Sequence, residues 1–318
     1  MSKKNFINAT HIEGYLYEHK LEMKVTGANS KNPGTNFISG TIGIATDDSM
    51  NNVVQIHFTY VTAVTAKGKP NNTFNTLQNI INGKLESVME HGKENAVRLR
   101  VDSALALNEW YDTRDDNHTL ISVKRNEGGF VHLMTMAEPL NENVHARATF
   151  DCDMLITKAT RVEANEERNT PEKVTIKGYV FDFRKALLPV EFSVLNPKAM
   201  DYFENQEPSE KHPLFTRVKG EQISQTIEHK IEEESAFGDT SVRIVRSSQR
   251  DFVITWAPPQ PYEWDDETTL LASELLDMQA AREVYLADMK KRQDEYLASR
   301  NNVLAEAPAA PKKDDYDF

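Results

Sequence analysis

The chain has a single cysteine, Cys152, in 318 residues. One thiol cannot close an intramolecular disulfide or build a cysteine-rich zinc site, and it fits a reducing compartment. No stretch approaches the roughly 20 consecutive apolar residues of a membrane-spanning helix. The opening Met-Ser-Lys-Lys-Asn-Phe lacks the apolar core of a secretory signal. The expectation is a soluble intracellular protein. Catalytic signatures are missing too. There is no GxxxxGK followed by Ser or Thr, no GxGxxG, HExxH or GxSxG, and no EF-hand loop. The nine histidines are scattered without ligand spacing. Asp151-Cys152-Asp153 reads more readily as a surface carboxylate pair than as a metal site, and its acids make the thiol a poor nucleophile. No enzyme, cofactor or metal is expected.

Net charge is −12, and residues 261–318 alone hold 14 acidic against 7 basic side chains. The excess is therefore concentrated in the last fifth of the chain. The remainder is near enough to neutral to carry a local basic groove, although the overall balance opposes a histone-like binder.

Apolar residues at 39% suffice for a core. From Thr10 to about Trp256 they alternate with polar ones in short runs broken by Asn, Gly, Asp and Pro, the pattern of half-buried strands. In Val53–Val61, Val54, Ile56, Phe58 and Tyr60 share the face expected to point inward, with Gln55, His57 and Thr59 outward. Phe37–Thr46 turns Ile38, Ile42 and Ile44 inward in the same way.

This grammar runs twice. Ile38-Ser39-Gly40-Thr41-Ile42 matches Ile176-Lys177-Gly178-Tyr179-Val180. Each is followed by another strand (53–61, 188–195), a short helix (74–80, 200–203), a further strand (97–101, 214–218) and a closing hairpin (121–134, 242–256). The order predicts a tandem duplication; one larger mixed sheet is the alternative. The shared glycine suits a strand that bends sharply round a small barrel, where a Cβ would crowd its neighbour.

Five strands per copy with a helix between the third and fourth match the five-stranded Greek-key barrel. The order of elements resembles the OB-fold of single-stranded DNA-binding proteins, bacteriophage ones included. The expected fold is mainly β: two tandem OB-fold-like barrels (1–140 and 141–258), a long C-terminal helix (265–302) and a disordered acidic tail (303–318).

The helix is read from 268–300, which has neither Gly nor Pro and repeats Leu271, Leu275, Met278, Tyr285, Met289 and Tyr296 at helical steps. It either docks on its own barrels or pairs with another subunit in a homo-oligomer. An Ala/Pro linker then leads to Asp314, Asp315, Tyr316, Asp317 and Phe318. This ending resembles the acidic, Phe-terminated tips of bacterial and phage single-stranded DNA-binding proteins. The resemblance implies docking of replication and recombination proteins, the ring in a pocket and the acids on basic residues. A solubilising tail is the other reading.

Sequence-tolerant strand binding needs aromatic faces for bases and cations along the phosphates. In the second copy Lys173, Lys177, Tyr179, Phe181 and Phe183 share the face opposite Ile176 and Val180, a predicted stacking platform; the alternative makes these rings core. The first copy offers Tyr15, Tyr17, Lys20, Lys24 and His57, the loop lysines Lys67 and Lys69, and Lys124 and Arg125. Arg246 is added from the second hairpin. The expected function is coating and protecting single-stranded DNA in phage replication or recombination, in the host cytoplasm, with no membrane partner. A β-barrel virion protein and a recombination mediator acting on coated strands are the alternatives.

Overall fold

The computed structural model describes residues 5–306 apart from 113, 115–118, 136, 166–169, 235–239 and 268, with backbone alone at 226–234, 240–248 and 300–306. Ten strands follow the alternation. The first five are β1 (Asn8–Val25), β2 (Asn36–Ala45), β3 (Val53–Thr62), β4 (Arg98–Tyr111) and β5 (Leu120–Leu133). The second five are β6 (Ala148–Val162), β7 (Lys173–Phe181), β8 (Leu187–Val194), β9 (Leu214–Glu234) and β10 (Thr240–Trp256).

In the first set β1 pairs with β2, β2 with β3, β3 with β5, β5 with β4, and β4 with β1 again, closing a barrel. The second set repeats the circuit as β6-β7-β8-β10-β9-β6. Both close through a short parallel seam, Ile56 and His57 beside Asn126 and Glu127 in one, Ser193 beside Val253 in the other. These are two OB-fold barrels. They are also one ten-stranded sheet, because Asn8–Ile12 of β1 pairs with Ala148–Cys152 of β6.

The duplicated glycines do the same job in each copy. A Cβ on Gly40 would lie 2.0 Å from the Lys20 carbonyl oxygen, and one on Gly178 would lie 2.1 Å from that of Leu155. Only a hydrogen lets the second strand press this closely on the first as it bends. Each barrel end is then plugged by a helix with an asparagine cap. In α1 (Asn72–Ile81) Asn71 accepts from the Thr73 amide and Phe74, Leu77 and Ile80 point into the core; α2 (Val88–His91) is a single turn. In α3 (Pro197–Asn205) Asn196 accepts from the Lys198 and Ala199 amides, and Met200 and Phe203 are buried.

Two expectations need correction. Segments 121–134 and 242–256 are not hairpins but parts of single long strands, β5 and β10, whose partners are β4 and β9. Gly128-Gly129, which looks like a turn, is a bulge opposite Ser103 in the β4–β5 ladder, with φ of 68° and 109°. Tyr60 does not face the core; it is 48% exposed. Ile38 pairs with Val61 and Gly40 with Phe58, so two residues of β3 oppose Ser39 alone and the inside–outside count slips by one.

The terminal helix, α4 (Ala272–Glu306), starts on Asp265 and Glu274, whose carboxylates accept from the amides of Ala272 and Leu271. It docks on its own chain. Leu270, Leu275 and Met278 pack with Phe6, Phe181 and Phe215 on the outside of the second barrel. Arg282 reaches Glu109 of β4, and the Gln293 amide brackets the Tyr111 backbone at 2.6 and 3.2 Å. Beyond these anchors Leu276, Val284 and Tyr296 are exposed. No described helix is long and apolar enough to cross a membrane.

Candidate nucleic-acid interface

In a five-stranded barrel of this topology the outer face of the second and third strands is the surface that receives oligonucleotides. On the first barrel it is open. Phe37 and Tyr60 stand side by side on it with ring centroids 4.8 Å apart. The ladder sets Lys24 beside Phe37, and Lys20 beside Thr41, which faces His57. Lys20 and Lys24 are exposed, Lys24 within 3.1 Å of Glu22. The exposed turn bearing Lys67 and Lys69 leaves the end of β3 just past Tyr60, closed by the Thr65 amide on the Lys69 carbonyl. Two rings flanked by cations on a curved sheet can stack bases and neutralise phosphates.

His57 sits lower in this surface. Burial, helped by the Arg125 guanidinium, holds its imidazole below the usual range, so it is neutral near pH 7. Arg125 is turned onto Glu127, its Nε 2.6 Å from the carboxylate. It is a half-buried ion pair rather than a free cation. Tyr15 is partly covered, with the Lys93 ammonium 5.3 Å from its ring centroid. Tyr17, at a bulge in β1, lines a cleft with Gln55, Ser224 and Arg250 where the two barrels meet.

The same face of the second barrel is taken. Phe181 has no exposed surface and stacks on Phe6 at 4.0 Å under the start of α4, and Tyr179 packs into the same cluster. The predicted platform of Lys173, Lys177, Tyr179, Phe181 and Phe183 therefore does not exist as a unit. Lys173 is bound to the Ser193 hydroxyl (3.0 Å) and Asp251 (3.3 Å), and Lys177 to Glu191 (3.2 Å). Of the three rings Phe183 alone is open, 89% exposed in the β7–β8 turn with Arg184 against its ring.

Lys124 is the other correction. The long β4–β5 arm of the first barrel lies over the second. There the Lys124 ammonium donates to the Glu191 carbonyl and sits 5.3 and 5.1 Å from the Phe192 and Phe252 ring centroids. Burial lowers its pKa. It glues the barrels together and is not available to a phosphate. The side chain of Arg246 and the whole tip, Asp314, Asp315, Tyr316, Asp317 and Phe318, lie outside the described residues.

Asp151 and Asp153 are occupied. Asp151 takes the Arg217 guanidinium, with Nε at 2.7 Å, and Asp153 accepts from the Ile7 amide and the Tyr262 hydroxyl at 2.8 and 3.0 Å. Burial next to Asp153 pushes the Tyr262 hydroxyl up to about 12. Among the described residues no group of three His, Cys, Asp or Glu is placed to hold a metal ion.

The family model of YorF matches residues 7–291, both barrels and most of α4. The chain belongs to the YorF family. No curated protein matches this YorF-family sequence. Among solved structures, the wild-type single-stranded DNA-binding protein of Thermus aquaticus is similar over 80% of this chain and 93% of its own, at 10% identity and a TM-score of 0.44. A deletion mutant of the same protein is similar over 83% and 98%, at 9% identity and a TM-score of 0.45.

The sequence reading missed Phe37 and Tyr60 as a pair. The inward Ile38 already turns Phe37 outward, but Tyr60 was hidden because the extra residue of the bulge lies in β3, opposite Ser39, where no glycine marks it.

Proposed function

We propose that this protein binds single-stranded DNA without catalysing a reaction, laying the strand across β2 and β3 of the first barrel. The observation that carries the reading is the pairing of the exposed Tyr60 with the half-buried Phe37 among Lys20, Lys24, Lys67 and Lys69, on the face that OB-folds use for oligonucleotides. Flat rings accept any base, so the binding is tolerant of sequence, and the second barrel acts as the rigid support. The biological task in this reading is to coat and protect strands exposed during phage replication or recombination. Residues 314–318 recruit the partner proteins, keeping an anionic segment off the DNA by charge.

The test is fluorescence polarisation with labelled oligo-dT and the matching duplex. The single strand is expected to bind more tightly, with log affinity falling against log salt by about 0.7 for each phosphate neutralised. Four lysines give a slope near −3, and replacing Lys67 and Lys69 by Ala should remove about 1.4 of it. Phe37→Ala with Tyr60→Ala should cost about 2 kcal/mol or more of binding at any salt. Equal affinity for duplex, or a double ring deletion without effect, would refute the assignment of this face.

A further inference from the structure

A second aromatic cleft lies at the far end of β10, away from the first barrel's open face. Its cavity of about 340 Å³ is walled by Tyr202 and Phe203 of α3, by Trp256 and by Pro258, with Asn196 and Lys198 at the start of α3. Trp256 is 48% exposed. An indole left half in water forgoes burial that a core position would have supplied, and the second barrel's core does not use it. Its neighbour across the ladder, Lys219, holds its ammonium 5.2 Å from the ring centroid. That ammonium lies 3.6 Å from Asp151, whose carboxylate is already engaged by Arg217. Among the described residues no carboxylate lines the cleft.

The cleft is preformed. The Tyr202 hydroxyl donates to the Pro258 carbonyl at 3.2 Å, and the prolines hold their own backbone stiff, so little ordering is left for a ligand to impose. It also lies on the same strand as the cleft between the barrels. Trp256 lies six residues along β10 from Arg250, which lines the inter-barrel cleft with Tyr17 and Gln55. At the rise of a strand that is about 20 Å.

We infer that Trp256 is a second stacking platform for the strand that crosses the first barrel, with Lys198 and Lys219 meeting its phosphates. The inference rests on the proposed function and extends it: the second barrel, closed on its usual face, contributes through the end of β10 instead. The binding site is then longer than one barrel, and a short strand should not reach both platforms.

The full-length protein is titrated with oligo-dT of about eight and about thirty nucleotides, one within and one well beyond the span of a single OB-fold, following polarisation and tryptophan fluorescence. Trp256→Ala should weaken the long strand about tenfold or more, leave the short strand unchanged, and abolish most of the quenching caused by the long strand. Trp256→Phe keeps a ring and should restore most of the affinity, which separates stacking from a folding defect. If the alanine variant binds both lengths like the wild type with its quenching intact, the inference is overturned and the cleft suits a protein ligand. If the wild type binds neither length, the proposed function itself fails.

Discussion

Exchanging Arg282 for Met should free α4 from the first barrel. The Glu109 side chain it contacts is 3% exposed and Arg282 itself 14%. The guanidinium donates to both carboxylate oxygens, at 2.7 Å to Oε2, while the Ser122 hydroxyl donates to Oε1 at 2.9 Å. Without the cation a nearly buried carboxylate keeps a single neutral donor. Breaking a buried pair in this way costs about 3–5 kcal/mol. A cleft of about 540 Å³ borders both residues and admits water, which places the expected loss at the lower end, about 3 kcal/mol. Because α4 can lift without opening either barrel, the loss should appear first as local opening. Hydrogen exchange across residues 272–306 should speed up about a hundredfold, while the amides of β1 and β6 exchange as before. Combining Arg282→Met with Glu109→Leu removes the stranded charge together with its partner and should return exchange to within about 1 kcal/mol of wild type. The reasoning is refuted if α4 exchange does not change in the single variant, or if the double variant is no better than the single.

Two further outcomes follow from the packing. Gly178→Ala drives a methyl to within 2.1 Å of the Leu155 carbonyl oxygen and 2.8 Å of the Ile156 Cα, both backbone. Urea unfolding should show a loss of about 3 kcal/mol or more, against a change within about 0.5 for Gly27→Ala, whose methyl would meet nothing within 4 Å. Cys152 has no exposed surface, and burial raises its thiol well above the ordinary range. A thiol reagent at pH 8 should leave the native protein unlabelled and modify one group per chain once it is denatured; rapid native labelling would contradict the packing of β6.

The duplication was legible because alternation and one glycine per copy survive in both halves. Ile38-Ser39-Gly40 and Ile176-Lys177-Gly178 occupy the same place in their barrels, and the inward residues of β2 and β3 up to Phe58 are those the two-residue period picks out. What the period cannot see is a second covering layer. At its Phe181 end both faces of β7 are buried, Val180 in the barrel and Phe181 beneath α4. A strand sealed from outside by remote segments has the same local pattern as one that offers its rings to solvent. Lys124 failed for a related reason. Its neighbours Phe192 and Phe252 come from the other barrel, far away in sequence. Trp256 gave no local hint, since its half exposure depends on where Pro258 and α3 come to rest.

Thr10, His11 and Ile12 have a partner strand on each edge, Val101–Ser103 on one side and Ala148–Phe150 on the other. A swivel between the barrels would have to tear that ladder, so no joint is available between the halves. The spacing from the Phe37–Tyr60 pair to Trp256 is therefore set once, when the chain folds. Any polymer that visits both places meets a gauge of constant length, and strands too short or too stiff to bridge it are turned away by geometry alone.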